Sequence, residues 1–291
     1  MSYVLTLVAA REAMTLTQPV IDRVRDALGA GRTPVILAAG EAADIPGLAS
    51  DDVSAARTAL AGAPVDVLVT RERGRRRYLL VADMDSTIVT TETLDELAGF
   101  AGLKAEVAAI TRRSMDGEVD FSASLRARVA LLKGLDLSAL EAAWGGVALT
   151  PGAQTLVATM RGWGARTGLV SGGFTFFAAR VAALCGFDEH WANVLLDDGV
   201  RLTGEVAEPI LDRDAKLAAL RALAHARGLR RAATLAVGDG ANDLAMLRAA
   251  GLGIAFRATA VVSAEVANRV DHAGLEALLF AQGCPRRDFR E

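Results

Sequence analysis

Short runs of β-branched and aliphatic residues alternate along this chain with alanine- and leucine-rich stretches of helical length, and that rhythm leaves few folds open. Strands separated by crossover helices pair in parallel, so the chain reads as α/β, a Rossmann-like, doubly wound parallel sheet covered by helices. Tyr3–Val8, Pro34–Leu37 and Val65–Thr70 read as strands and Pro19–Leu28 and Val53–Leu60 as helices, giving a small α/β module over residues 1–75. The larger sheet draws on Tyr78–Ala82, Thr167–Val170, Ala233–Val237 and Gly253–Phe256, with a helix over Arg213–Ala226. A hairpin turns at Asp197-Asp-Gly199 between Ala192–Leu196 and Val200–Leu202. Glu92 to Trp144 is mostly helical with polar breaks, which predicts a helical insertion over about residues 91–150. Between the two modules, Arg71-Glu-Arg-Gly-Arg-Arg-Arg77 carries dense like charge that would repel itself in a packed element. It reads as a solvated linker, with the second domain spanning 76–291.

Composition narrows the function classes. Of 291 residues 52% are hydrophobic and 23% charged, enough for two globular domains, and the formal net charge of -3 supplies no basic excess for nucleic acid or an anionic membrane. The two cysteines, Cys185 and Cys284, lie far apart, which excludes a disulfide framework or a multi-cysteine zinc site and fits a reducing cytoplasm. His190, His225 and His272 are scattered. Any metal must therefore be held mostly by oxygen. The apolar N-terminus has no basic segment before it and reads as a strand, and no run approaches the roughly 18 apolar residues of a membrane span.

In open α/β sheets ligands bind outside the carboxyl ends of the strands, so polar residues that directly follow a strand are the informative ones. Asp83 and Asp85 follow the first strand of the larger sheet, Ser171 and Gly172 the second, and Asp239, Asn242 and Asp243 the third. Three carboxylates at one sheet edge raise one another's proton affinity unless a cation sits between them, and an all-oxygen donor set favours Mg2+. Two acids one residue apart also permit one to attack while the other moves protons. Ser171-Gly-Gly173 offers a hydroxyl and backbone N–H groups to an anion. It is not a hydrolase elbow, since Gly-x-Ser-x-Gly requires glycine where Leu169 stands. Lys216 sits in the opening turn of its helix, where the dipole disfavours a cation, which suggests a phosphoryl contact. Gly238-Asp-Gly-Ala-Asn-Asp243 lacks the third glycine of a dinucleotide fingerprint and the spacing of a calcium loop.

Asp83-Met-Asp-Ser-Thr87, Ser171-Gly-Gly-Phe174, Lys216 and Gly238-Asp-Gly-Ala-Asn-Asp243 together resemble the four ordered motifs of haloacid dehalogenase-like hydrolases and, within them, of phosphoserine phosphatases. The resemblance covers roughly Tyr78 to Leu279. It implies a helical cap after the first motif, Asp83 as nucleophile and Asp85 as acid–base. It further implies Mg2+ held by the Asp83 and Asp239 carboxylates and the Asp85 backbone carbonyl. Asp243 would order the surrounding shell together with Asn242, which also counts among the substrate contacts. Ser171, Gly172 and Lys216 would hold the phosphoryl group, and Glu92, Met115, Phe121 and Arg128 would recognise O-phospho-L-serine in the last step of serine biosynthesis. The first module is similar to small-molecule-sensing domains of the ACT type, although Ala9 to Gln18 lacks their usual Pro-Gly turn. The alternatives are a phosphatase or phosphotransferase for another small phospho-amine and, in a different class, a non-enzymatic aspartyl phospho-acceptor. No nucleic acid or membrane partner is expected, and a homodimer is the self-association admitted.

Overall fold

The structure, a computed structural model, describes residues 2–30, 32–115 and 118–291. The N-terminal part runs β1 (Tyr3–Ala9), α1 (Gln18–Ala27), β2 (Val35–Ala38), β3 (Ala42–Leu48), α2 (Ser54–Leu60) and β4 (Val65–Arg71). Its four strands form an antiparallel sheet in the order β2-β3-β1-β4. One strand was not legible. Ala42-Ala-Asp-Ile-Pro-Gly-Leu48 is assigned no element from the sequence, and its aspartate, proline and glycine all disfavour strands. β3 accommodates the proline because β2 pairs with it only as far as Asp44, so Pro46 has a strand on one side alone.

The larger sheet is built from β5 (Leu79–Ala82), β6 (Arg166–Phe174), β7 (Glu189–Asn193), β10 (Thr234–Gly238), β11 (Leu252–Phe256) and β12 (Arg269–Val270). All its pairings are parallel, in the order β12-β11-β10-β5-β6-β7. β5 and β10 are buried throughout, as expected of central strands covered on both faces. Four helices, α3 (Thr93–Gly99), α4 (Lys104–Met115), α5 (Phe121–Ala130) and α6 (Ser138–Trp144), intervene after β5, and α7 (Ala153–Gly162) leads into β6. α8 (Thr175–Cys185) follows β6, and the hairpin β8 (Leu195–Asp197) and β9 (Leu202–Val206) forms with its turn where the sequence places it. Ala192 and Asn193, however, belong to β7 in the main sheet rather than to the hairpin. α9 (Arg213–Ala226), α10 (Leu244–Ala249), α11 (Ala260–Glu265) and α12 (Ala277–Ala281) complete the chain.

The N-terminal sheet has two buried faces. Leu5, Leu7, Ile45, Val67 and Val69 pack with Ile21, Val24 and Leu60 of α1 and α2. The opposite face contributes Val8, Leu37, Ala42 and Leu68 to the core of the larger domain, where α12 lies against β1 and β4. Its buried polar residues find partners there. Asp66 accepts from the backbone N–H groups of Asp271 (2.8 Å), His272 (3.2 Å) and Ala273 (2.8 Å). Asn268 exchanges hydrogen bonds with Val69 N (2.7 Å) and O (3.1 Å), completing the exposed edge of β4.

The solvated linker expected at Arg71–Arg77 is not what forms. Arg75 points inward, pairing with Asp44 and donating to Thr6 Oγ1 (2.9 Å), Phe280 O (3.2 Å) and Ala281 O (3.1 Å). Arg77 is buried, and Arg76 lies over Trp163, 5.3 Å from the ring centroid. Like charge is tolerated because Arg75 and Arg76 meet separate partners while Arg71 and Arg73 stay exposed to solvent. Removing the cation of a nearly buried pair leaves an unpaired charge, so Arg75→Met should lower unfolding free energy by about 3 kcal/mol. Arg76→Ala should cost at most about 1 kcal/mol, the scale of an exposed cation–π contact. Urea titration of the whole chain distinguishes the two, and equal small effects would mean that the segment is a linker after all.

Candidate active site

The three central neighbours β10, β5 and β6 end side by side, and each delivers one polar motif to the same sheet edge. Asp83 N donates to Val237 O (3.0 Å), extending the β5–β10 ladder by one residue and setting Asp83 beside Asp239. The chain then turns sharply through Ser86, at φ +54°, a left-handed conformation that is uncommon for a residue with a side chain. Ser86 Oγ donates to Glu92 Oε1 at 2.6 Å, tying the turn to the first residue of the helical insertion. Asp85 accepts from Thr93 N (2.8 Å) at the start of α3 and from Ser171 Oγ (2.9 Å) on β6.

In β6 the pairing with β7 is regular to Val170 and resumes at Phe174, so Ser171–Gly173 bulges out of the ladder. Ser171 Oγ accepts from Gly173 N at 2.8 Å, and Asn193 Nδ2 holds the Gly172 carbonyl at 2.9 Å. Gly172 leaves room for a ring that packs on it. A Cβ there would come within 2.6 Å of the tip of the Phe121 ring, which closes over the bulge from α5.

Lys216 is 1% exposed and is carried in by α9, whose amino end is capped by Asp212 accepting from Asp214 N (2.9 Å) and Ala215 N (3.3 Å). Its ammonium lies 2.7 Å from Asp83 Oδ1 and 2.6 Å from Asp243 Oδ1. Burial disfavours the ammonium, yet the two carboxylates outweigh that and raise its pKa above the ordinary lysine value. The other Asp243 oxygen accepts from Asp239 N and Gly240 N, both at 3.1 Å. This return of the loop is possible only because residue 238 is glycine: a Cβ there would sit 2.4 Å from Asp243 Cγ.

Asp83, Asp239 and Asp243 can each bring a carboxylate oxygen within 4.8 Å of the others. With Asp243 committed to Lys216 and to backbone, Asp83 Oδ2 and Asp239 Oδ2 have no protein partner among the described residues. Burial and then the neighbouring Asp243 push the Asp83 carboxyl up to about 7, and burial and then Asp83 push Asp239 well above its usual range. Two hard oxygen donors held against their own repulsion fit a divalent cation. Thr87 Oγ1 orients Asp239 Oδ1 at 2.8 Å, the kind of outer contact that fixes a ligand.

The cleft above this edge is lined by Asp83, Asp85, Asp239, Asn242 and Gly172 from the sheet and by Glu92, Phe121 and Arg128 from the insertion. Glu92 is half-buried, and desolvation followed by the Asp85 charge pushes its carboxyl up to about 8. Arg128, 6% exposed, donates to Thr111 Oγ1 (3.0 Å) and Ser124 O (3.3 Å), and no carboxylate among the described residues lies within salt-bridge distance. Thr111 in turn donates to Asp95 Oδ1 at 2.7 Å. Of the residues singled out in the sequence, all but one line this cleft or bond directly to those that do. The side chain of Met115, at the end of α4, lies outside the described residues. Thr87, Thr93, Thr111 and Asn193 were missed, because single hydroxyls and amides that act through a neighbour leave no spacing to read.

The model of the haloacid dehalogenase-like hydrolase family matches residues 79–251. A phosphoserine phosphatase of Streptomyces coelicolor is 43% identical over 239 residues, 80% of this chain and 58% of that protein, so this chain spans little more than half of that relative. A solved probable phosphoserine phosphatase from Vibrio cholerae superposes with a TM-score of 0.77 at 30% identity, covering 99% of this chain and 88% of the other. A phosphoserine phosphatase solved as a phospho-aspartyl intermediate analogue gives a TM-score of 0.68 at 36% identity, over 70% of this chain and 98% of its own.

Because Lys216 is paired with two buried carboxylates at once, Lys216→Met should lower unfolding free energy by about 3 kcal/mol or more at pH 7, measured by urea titration. An unchanged stability would mean that Asp83 and Asp243 do not share this cation. The motifs, their common sheet edge and these relatives place the chain among the haloacid dehalogenase-like hydrolases, grouped there with the phosphoserine phosphatases.

Proposed function

We propose that this chain is a magnesium-dependent phosphatase that hydrolyses O-phospho-L-serine to L-serine and phosphate through an aspartyl-phosphate. The observation that carries the reading is the pairing of the acidic sheet edge with a cleft holding one half-buried acid, Glu92, and one buried guanidinium, Arg128, neither bound to the other. That is the complement of an amino acid's ammonium and carboxylate. Thr93 Oγ1, buried in the same cleft without a partner, supplies a further polar contact for a ligand.

In this reading the Asp83 carboxylate attacks phosphorus in line as the bond to the serine oxygen breaks, and Asp85 in its protonated form gives that oxygen its proton. Asp85 then takes a proton from the water that attacks the aspartyl-phosphate, which returns Asp83. Lys216 offsets charge between the two anions, and Ser171 with the Gly172 N–H holds phosphoryl oxygens. Mg2+, held by the Asp83 and Asp239 carboxylates and the Asp85 carbonyl with Asn242 and Asp243 around them, would supply further charge neutralisation. Helices α3–α6 act as the cap that selects the substrate. The Asp85 bond to Thr93 N couples that cap to the proton-transfer group, an arrangement a simple phospho-acceptor has no use for.

We further assign residues 1–75 to an ACT-like domain, supported by its β-α-β-β-α-β order, and residues 76–291 to the phosphatase domain. A cytoplasmic setting is supported by two free, buried cysteines, and no helix among the described residues is long and apolar enough to cross a membrane. If the chain dimerises, the edge strand β2, with Val35 and Ile36 exposed, is the natural place for a second copy to pair.

Phosphate release from O-phospho-L-serine and from an aryl phosphate tests the assignment. Chelating the metal should abolish both activities and added Mg2+ restore them, and Asp83→Asn should turn over neither substrate. Arg128→Ala should cost phosphoserine about 2–3 kcal/mol in kcat/KM, the scale of a lost charge-assisted hydrogen bond, and leave the aryl phosphate nearly unchanged. Equal losses on both substrates would remove Arg128 from substrate recognition, and an active Asp83→Asn would remove the nucleophile.

A further inference from the structure

At the amino-terminal ends of β10 and β11, the end of the sheet opposite Asp83 and Asp239, a second cleft opens between the N-terminal sheet and the larger domain. Four arginines line it: Arg71 and Arg73 at the end of β4, Arg77 before β5, and Arg231 before β10. No carboxylate lies within salt-bridge distance of any of the four among the described residues. Arg231 has already spent Nε on Ala250 O (3.1 Å) and Nη2 on Arg248 O (2.8 Å). Arg71 and Arg73 are exposed at the rim.

Arg77 differs from them. It is 6% exposed, its Nη1 donates to Gly74 O at 2.6 Å, and its Nε is buried without a partner. Burial, then the charges of Arg75 and Arg71, lower its pKa to about 10. A buried guanidinium with an unfilled donor and cationic neighbours is costly as it stands, and an anion relieves both costs. The acids on the rim, Asp51 and Asp52, precede α2, and Asp52 is engaged by Ser54 N (2.9 Å) and Ser54 Oγ (2.6 Å).

We propose that this cleft binds a small oxyanion, a phosphate or a carboxylate, seated on Arg77 and closed over by Arg71 and Arg73. Planar guanidinium donors match either group in a two-pronged geometry. A long polyanion would meet the exposed rim but not the recessed Arg77. Since β4 supplies one wall and the approaches to β10 and β11 the other, the bound anion bridges the two parts of the chain and strengthens their docking.

The test is the thermal midpoint of the whole chain titrated with inorganic phosphate, in metal-free buffer with chelator and at constant ionic strength. Without a divalent cation the carboxylates around Asp83 repel phosphate, so this condition isolates the second cleft from the catalytic one. Phosphate should raise the midpoint, Arg77→Met should weaken the apparent affinity tenfold or more, and Ser171→Ala should respond as the parent does. A parallel titration with acetate separates the two sources of the chemistry: a response to acetate assigns a carboxylate, and a response to phosphate alone assigns a phosphate. Should Arg77→Met fail to fold, the double variant Arg71→Ser/Arg73→Ser, which alters only exposed side chains, must lose the response. The proposal is overturned if neither anion raises the midpoint, if these variants respond like the parent, or if Ser171→Ala alone abolishes the effect.

Discussion

One ammonium holds the acidic sheet edge together. Lys216 lies between Asp83 and Asp243, and without it two carboxylates would face each other in a nearly dry setting, where unit charges 4 Å apart repel by about 4 kcal/mol even at an effective dielectric of 20. Much of the surrounding architecture serves that contact. α9 must be capped at Asp212 to deliver the lysine, and residue 238 must lack a side chain for Asp243 to fold back. Asp243 must in turn be held by the amides of residues 239 and 240 so that its remaining oxygen meets the cation. Once Lys216 and Asp243 are matched, Asp83 and Asp239 retain the surplus negative charge, on the side that faces the cleft.

The same logic separates what was legible in the sequence from what was not. Motif residues at the carboxyl ends of β5, β6 and β10 were readable because a strand that stops abruptly in acids or glycines has few structural explanations, and three such stops converge in a parallel sheet. Helix α9 was readable at about its observed span, and the aspartate at its start and the apolar stripe along it agree with that. The hydroxyl relay Asp95–Thr111–Arg128 was not, because its members come from three helices whose packing no local pattern encodes. Nor was the bulge at Ser171–Gly173 held by Asn193, an asparagine twenty residues later on a neighbouring strand.

The overturned linker at Arg71–Arg77 belongs to a surface whose polar strand residues are equally deceptive. Thr6, Asp44, Asp66 and Thr70 alternate with apolar neighbours, a pattern that ordinarily marks a solvent-facing side of a sheet. All four are buried, because the face they occupy docks on the larger domain and supplies them with Arg75 and with backbone groups near residues 271–273 and 281. Arginines that look like a charged tether are part of the same surface. Sequence periodicity reports polarity, and polarity alone cannot distinguish water from a complementary protein surface.

That docked face has a consequence for how the chain matures. Its partners are contributed very late: Asp66 is bonded 205 positions downstream, and Glu41 is paired with Arg286, 245 positions away. As the polypeptide emerges from the ribosome, the N-terminal sheet can assemble on its own helices long before those partners exist. During that interval Val8, Leu37, Ala42 and Leu68 face water, and Asp44 and Asp66 are solvated rather than bound. The half-finished product therefore carries an apolar patch softened by carboxylates, which limits its tendency to associate until the far end of the chain arrives. The polar residues that disguise this interface in the sequence are also what keep it soluble while it waits.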